Sequence, residues 1–191
     1  SRLGLAQPGM SIAKESMRLT PFEELMHDLH SPDRPMAFLV RLRFEGRFDA
    51  EPCRRAIANT LAHHSLTRSR VIRGPRGLCW EVAGEPVITV QEGDLPAMSY
   101  APMSLSEAPG VMVRVTIGES QSTLDIQIHH AVSDGRGALA LLRDFMVEYA
   151  RATGSDLPGP ERDPEMMAKR GSFGLDALTF LKEAPKQSLG L

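Results

Sequence analysis

The chain has 191 residues, enough for one sizeable hydrophobic core and short for two. Apolar residues make up 42%, and 22 basic residues face 24 acidic ones for a formal net charge of -2. That balance excludes the basic excess of a general nucleic-acid binder, and the longest unbroken apolar runs, 36–40 and 138–142, are far below the about 20 residues of a membrane-spanning helix. Cys53 and Cys79 are too few for a disulfide framework, so a reducing, cytoplasmic location is expected. Residues 1–9 lack the apolar centre of a signal peptide. Met10 is a candidate native start, in which case 1–9 would be a cloning remnant; 1–18 is expected to be an N-terminal extension.

Thr20-Pro21-Phe22-Glu23 predicts a helix start: Thr20 caps, Pro21 suits the first turn and Glu23 completes a capping box. The helix is expected to run to about His30 and stop before Ser31-Pro32. Residues 36–45 alternate, with Phe38, Val40, Leu42 and Phe44 on one face and Arg41, Arg43 and Glu45 on the other, the period of a half-buried strand. Asp49 is the expected cap of a second helix that carries Cys53, Ile57 and Leu61 on one stripe and ends near His63-His64. Short strands follow at 70–73, 78–82 and 87–90, separated by Gly74-Pro75-Arg76-Gly77 and Gly84-Glu85-Pro86. Residues 92–109 read as loop. Val111, Val113, Val115 and Ile117 alternate with Met112, Arg114 and Thr116, and Leu124, Ile126 and Ile128 alternate with Asp125, Gln127 and His129; with 118–122 between the two runs this predicts a hairpin. Residues 136–152 predict a helix with Leu139, Leu142, Phe145 and Tyr149 near one face. A proline-rich linker at 154–164 precedes two short helices, 166–170 and 175–183.

The stretch His129-His130-Ala131-Val132-Ser133-Asp134-Gly135 lies between a predicted strand and a predicted helix, where rigid elements present functional groups. Its pattern, HHxxxDG, arises by chance in about one chain in a thousand of this composition. Histidine titrates near neutrality, so one held at a strand end is placed to act as a general base. Strand alternation puts His130 on the core side with Leu124, Ile126 and Ile128, and His129 on the side of Asp125 and Gln127. Asp134 directly precedes the helix and reads equally as its N-cap. Gly135 permits a tight turn or the close approach of a ligand. A metal site from His63, His64, His129 and His130 is weighed and set aside, because no CxxC or HExxH accompanies them.

HHAVSDG resembles the active-site motif of the chloramphenicol acetyltransferase-like superfamily, which includes condensation domains of nonribosomal peptide synthetases, wax ester synthases and polyketide-associated acyltransferases. Leu19-Thr20-Pro21-Phe22-Glu23 resembles their "L-T-P" helix start. Residues 63–71 resemble their "RHxxLRTRF" segment, with Thr67 in place of the usual leucine, and residues 102–115 resemble their "PFDL…PLxR" approach to the motif strand. Order and spacing agree over 19 to about 153.

The resemblance implies an α/β fold: a two-layer sandwich whose mixed, mostly antiparallel sheet is covered by helices. It implies acyl transfer from a coenzyme A thioester or a phosphopantetheinyl carrier protein to a hydroxyl or amine of a small-molecule acceptor. No metal or permanently bound cofactor is expected. His130 would be the general base and His129 would support the loop. Asp134 would pair structurally with an arginine, Arg68 as first candidate and Arg114 as second. Gly135 and Ser133 would border the substrate channel.

Members of the condensation type are about twice this long, with two similar lobes and a tunnel between them. The resemblance therefore implies an N-terminal lobe at 19–153, with 154–191 leading to an absent second lobe supplied by the same chain, a partner chain or another copy. The alternative is a non-catalytic lobe that binds a carrier protein, acyl-CoA or a partner subunit.

Overall fold

The computed structural model describes residues 17–93 and 98–160, together with Met167 and Arg170. The expected helices at 166–170 and 175–183 and the segment 1–16 lie outside the described residues, apart from those two positions.

Helix α1 (Pro21–Leu29) starts on the capping box the sequence encodes: the Thr20 hydroxyl accepts from the Glu23 N–H, and the Glu23 carboxylate accepts from the Thr20 N–H at 2.7 Å. Glu23 is buried and takes two further donors, the Trp80 indole N–H at 3.0 Å and the Arg170 guanidinium at 3.0 Å. One residue thus closes a helix end and ties it to distant parts of the chain. Helix α1 stops at His30, and the turn Ser31-Pro32-Asp33-Arg34 reverses the chain through paired Ser31 and Arg34 backbone bonds.

A three-stranded sheet has the order β1 (Met17–Arg18), β4 (Gly77–Val82), β3 (Ser69–Gly74). Its β3–β4 hairpin turns at Gly74-Pro75-Arg76-Gly77 as the sequence predicts, with Gly77 at φ +119. The larger sheet has the order β2 (Ala37–Glu45), β7 (Gln121–His129), β6 (Val111–Ile117), β5 (Val87–Glu92). Only β5 and β6 run parallel, so the sheet is mixed and mostly antiparallel.

Helices α2 (Ala50–His63) and α3 (Gly135–Ala152) pack on one face of this sheet. Alternation explains the core: Val111, Val113, Val115 and Ile117 are buried with Leu124, Ile126 and Ile128 against Cys53, Ile57, Leu61, Leu141, Leu142 and Phe145. Burial pushes the Cys53 thiol up to about 11, so it sits there as an apolar group. Two local expectations need correction. Leu139 is 68% exposed, because at 100° per residue it lies off the stripe formed by Ala138, Leu141, Leu142 and Phe145. Asp49 stands at the N-cap of α2 but its side chain makes no capping bond; its own N–H donates instead to the Tyr149 hydroxyl at 2.9 Å.

A small apolar void between α2, α3 and the sheet is lined by Ile57, Thr60, Val113, Ile126 and Phe145. The Thr60 hydroxyl is buried there without a hydrogen-bond partner among the described residues. A buried, unsatisfied hydroxyl is costly, whereas valine has the same shape without it. Thr60→Val is therefore expected to stabilise the fold by about 1 kcal/mol, read as a higher urea midpoint; an unchanged or lower midpoint contradicts this account.

Candidate functional site

The HHxxxDG residues sit where β7 ends and α3 begins. His129 is the last residue of β7, paired with Ala37 of β2. The chain then turns sharply: the His129 carbonyl accepts from the N–H groups of Val132 and Ser133, and the His129 Nδ1 accepts from the Ala131 N–H at 3.1 Å. That last bond leaves the His129 proton on Nε2.

The two histidines occupy the reverse of the expected environments. His129 is 1% exposed, while His130 is half-buried. Two causes combine. The strand ends at His129, so His130 does not continue on the core side. The second face of β7, read from sequence as the polar side, is also covered. Gln127 holds the segment 98–110 over it by a two-way bond with Ala101: its Oε1 accepts from the Ala101 N–H at 2.9 Å and its Nε2 donates to the Ala101 carbonyl at 2.7 Å. Gly110 makes the closest approach. A side chain there would meet Leu105, Val132 and the His129 Cβ at 2.4, 2.8 and 3.0 Å, which explains a glycine at this position.

Asp125 lies on the same buried face. Its carboxylate accepts from Arg41 at 2.6 and 3.1 Å and from Arg114 at 3.3 Å. Burial pushes the pKa of this carboxyl up, but the bonds and charge of Arg41, then the bond from Arg114, outweigh it and hold the group below the usual aspartate range. Sequence reading missed this network. Its only signal was an aspartate in a central, otherwise apolar strand flanked by arginine-bearing strands.

Burial, and then the neighbouring His30, His27 and His130, push His129 down to about 3 from 6.5. Its folded form stays neutral while the unfolded chain takes up a proton below pH 6.5. The unfolded state therefore binds more protons in this window, and stability falls as pH drops, by at most about 1.4 kcal/mol per pH unit. Asp125 adds to the acid loss only lower down, since its contribution disappears as pH falls through its depressed value. His129→Phe is expected to flatten the dependence of the unfolding free energy between pH 6.5 and 5; an unchanged slope would count against a neutral, buried His129.

The His130 ring is held by packing rather than by hydrogen bonds. The His130 backbone N–H donates to the Met36 carbonyl at 2.8 Å, and the ring lies against Phe38 with centroids 4.7 Å apart. Its ring nitrogens make no hydrogen bond among the described residues. The imidazole is thus fixed by backbone and packing, with neither ring nitrogen engaged among the described residues.

The arginine partners expected for Asp134 are not brought to it. The Asp134 carboxylate accepts from the Gly137 N–H at 2.8 Å and caps α3, the N-cap alternative of the sequence reading. Arg68 pairs with Glu85, because its carbonyl accepts from the N–H groups of Ala83 and Gly84 and so holds that loop beside it. Arg114 is engaged with Asp125. Ser133 donates its hydroxyl to the Asp134 carbonyl at 3.1 Å. Gly135 opens α3, and nothing lies within 4 Å of where a side chain would begin.

Of the histidines weighed for a metal, His64 contacts Asp144 of α3 at 3.0 Å. Among the described residues no three metal-ligating side chains cluster, and no helix is long and apolar enough to cross a membrane.

No family model matches the chain. It is similar to an uncharacterized protein of Mycobacterium tuberculosis, found in strains H37Rv and CDC 1551, with 30% identity over 149 residues. That match covers 71% of this chain and 34% of the relative, so the chain spans about a third of the length of the curated relatives it matches.

Solved structures share the fold at low identity. The starter condensation domain of rhizomide synthetase matches with TM-score 0.65 and 17% identity, over 88% of this chain and 46% of that one. A variant of that domain in complex with C8-CoA matches with TM-score 0.63 and 17% identity, over 77% and 38%. The X-domain from teicoplanin biosynthesis, in its complex with OxyB, matches with TM-score 0.62 and 20% identity, over 84% and 36%.

Proposed function

We propose that this chain, which has the chloramphenicol acetyltransferase-like fold of a condensation-domain lobe, contributes the general base of an acyl transfer. The observation that carries the reading is His130 in its HHxxxDG context. It is a half-buried imidazole at a sheet end, held by Met36 and Phe38, with both ring nitrogens unengaged among the described residues. In this reading His130 takes the proton from an acceptor hydroxyl or amine. The acceptor oxygen or nitrogen then attacks the thioester carbonyl. The C–S bond breaks, and the departing thiolate recovers the proton from His130.

The donor is an acyl thioester of coenzyme A or of a phosphopantetheinyl carrier protein. The C8-CoA complex of a structural neighbour supports the first form. Gly135, with open space beside it, and the half-buried Ser133 border the channel in this reading. The lobe at 19–153 is completed by a second lobe or partner chain, consistent with structural neighbours of which the match covers 46% or less.

A second reading, a lobe that binds a partner without turnover, is favoured by the neighbouring X-domain in complex with OxyB. Incubating the full-length protein with a panel of acyl-CoA thioesters and simple alcohols or amines separates the two. Acyl transfer that depends on His130 supports the base; no transfer from any donor favours the binding lobe.

A further inference from the structure

We infer that His30, at the end of α1, is a positioning residue for His130; the inference rests on the reading of His130 as the base. His30 Nδ1 accepts from the Met36 N–H at 3.1 Å. The carbonyl of the same residue, Met36, accepts from the His130 N–H at 2.8 Å. The His30 ring also lies against His129, with centroids 4.7 Å apart and planes at 38°. Two residues on from Met36, Phe38 packs its ring on His130. One imidazole therefore holds the start of β2 from one side while that strand start holds His130 from the other.

The local chain makes this geometry. Helix α1 ends at His30, whose N–H still bonds back to the His27 carbonyl at 3.3 Å. The turn at 31–34, with proline in its second place and aspartate in its third, returns the chain so that Met36 meets the ring of His30. Met36 precedes the first residue of β2, so its N–H has no ladder partner. The His30 ring supplies one. Because Nδ1 is the acceptor, the proton of the neutral ring is on Nε2.

The feature that matters is the acceptor at the δ position, and two variants separate it from ring packing. His30→Phe keeps an aromatic ring against His129 and removes the acceptor. His30→Asn removes the ring and keeps an oxygen at the δ position.

In the full-length protein, His30→Phe is expected to speed hydrogen exchange at the Met36 and His130 amides by about tenfold. It should also lower kcat by about tenfold with KM unchanged, since a small misplacement of a catalytic group is costly. His30→Asn should restore both to within about threefold of the parent. Trp80 fluorescence and the urea midpoint monitor the rest of the fold.

Unchanged exchange at Met36 and His130 in the Phe variant overturns the inference. Equal loss in both variants also overturns it, because ring volume and not the acceptor would then be responsible. The exchange readout does not depend on turnover. If His130→Ala leaves transfer intact, the base reading fails, and the exchange result still decides whether His30 holds the His130 backbone.

Discussion

His130→Ala is expected to lower acyl transfer by the full-length protein by about 10²–10⁴-fold, the usual contribution of a positioned general base. His130 is anchored through its backbone to Met36 and through its ring to Phe38, so alanine removes the proposed base and keeps the backbone bond to Met36. The side chain is only half-buried, so stability should change little. The loss should therefore appear in kcat at an unchanged unfolding midpoint. His130→Gln, similar in size and unable to accept a proton near neutrality, should be as inactive as alanine. Wild-type turnover in either variant would end the proposed mechanism. His129 makes a useful contrast: held neutral with its Nδ1 engaged by the Ala131 N–H, it is built to stay fixed rather than exchange protons.

Asp125→Ala is expected to cost about 3 kcal/mol of stability, the lower end of what removing one partner from a buried ion pair costs. Asp125 is 2% exposed, in the central strand β7, and it is the shared acceptor for Arg41 of β2 and Arg114 of β6. Without it, the guanidiniums carried by the two strands that flank β7 lose the acceptor they share and repel each other. Arg41 also reaches the Met98 carbonyl at 3.5 Å, so the cover over this sheet face should loosen as well. Asp125→Asn retains an acceptor oxygen and should lose less than alanine does. Urea unfolding measures both; a loss below about 1 kcal/mol for alanine would show that the network contributes little beyond a surface pair. This change should leave the local brace on His130 intact, whereas His130→Ala should leave the fold intact, so the two variants separate stability from chemistry.

Much of the molecule was legible because its signals are short in range. The capping box at Thr20 and Glu23 closes within four residues, and the structure forms both of its bonds. The hairpin at 74–77 needs only its own glycines and proline. Alternation along β6 requires nothing beyond one apolar face, and its burial alternates residue by residue. Helix α3 was placed correctly, but the stripe drawn through Leu139 was not. Four apolar residues at roughly helical spacing do not reveal which side of the helix meets the sheet.

The sequence by itself placed α1, α2, α3 and the strands from β2 onward to within a few residues, though not β1, which fell in the expected extension 1–18, and it located the HHxxxDG turn between a strand and a helix. These depend on neighbours within a few residues, whose geometry the backbone enforces locally. Only the tertiary structure decided which histidine is buried, because that depends on segment 98–110 covering β7 through Gln127. It also decided the partners. Asp134 caps its own helix, Arg68 meets Glu85, and Arg114 joins Arg41 on Asp125. A charged side chain can satisfy itself with any of several opposite charges in the chain. Which one it reaches is set by packing between strands tens of residues apart, not by the residues beside it. The role of His30 belongs to this second class: alone it is a histidine at a helix end, and only the return of the chain at 31–34 brings it to Met36 and, through Met36, to His130.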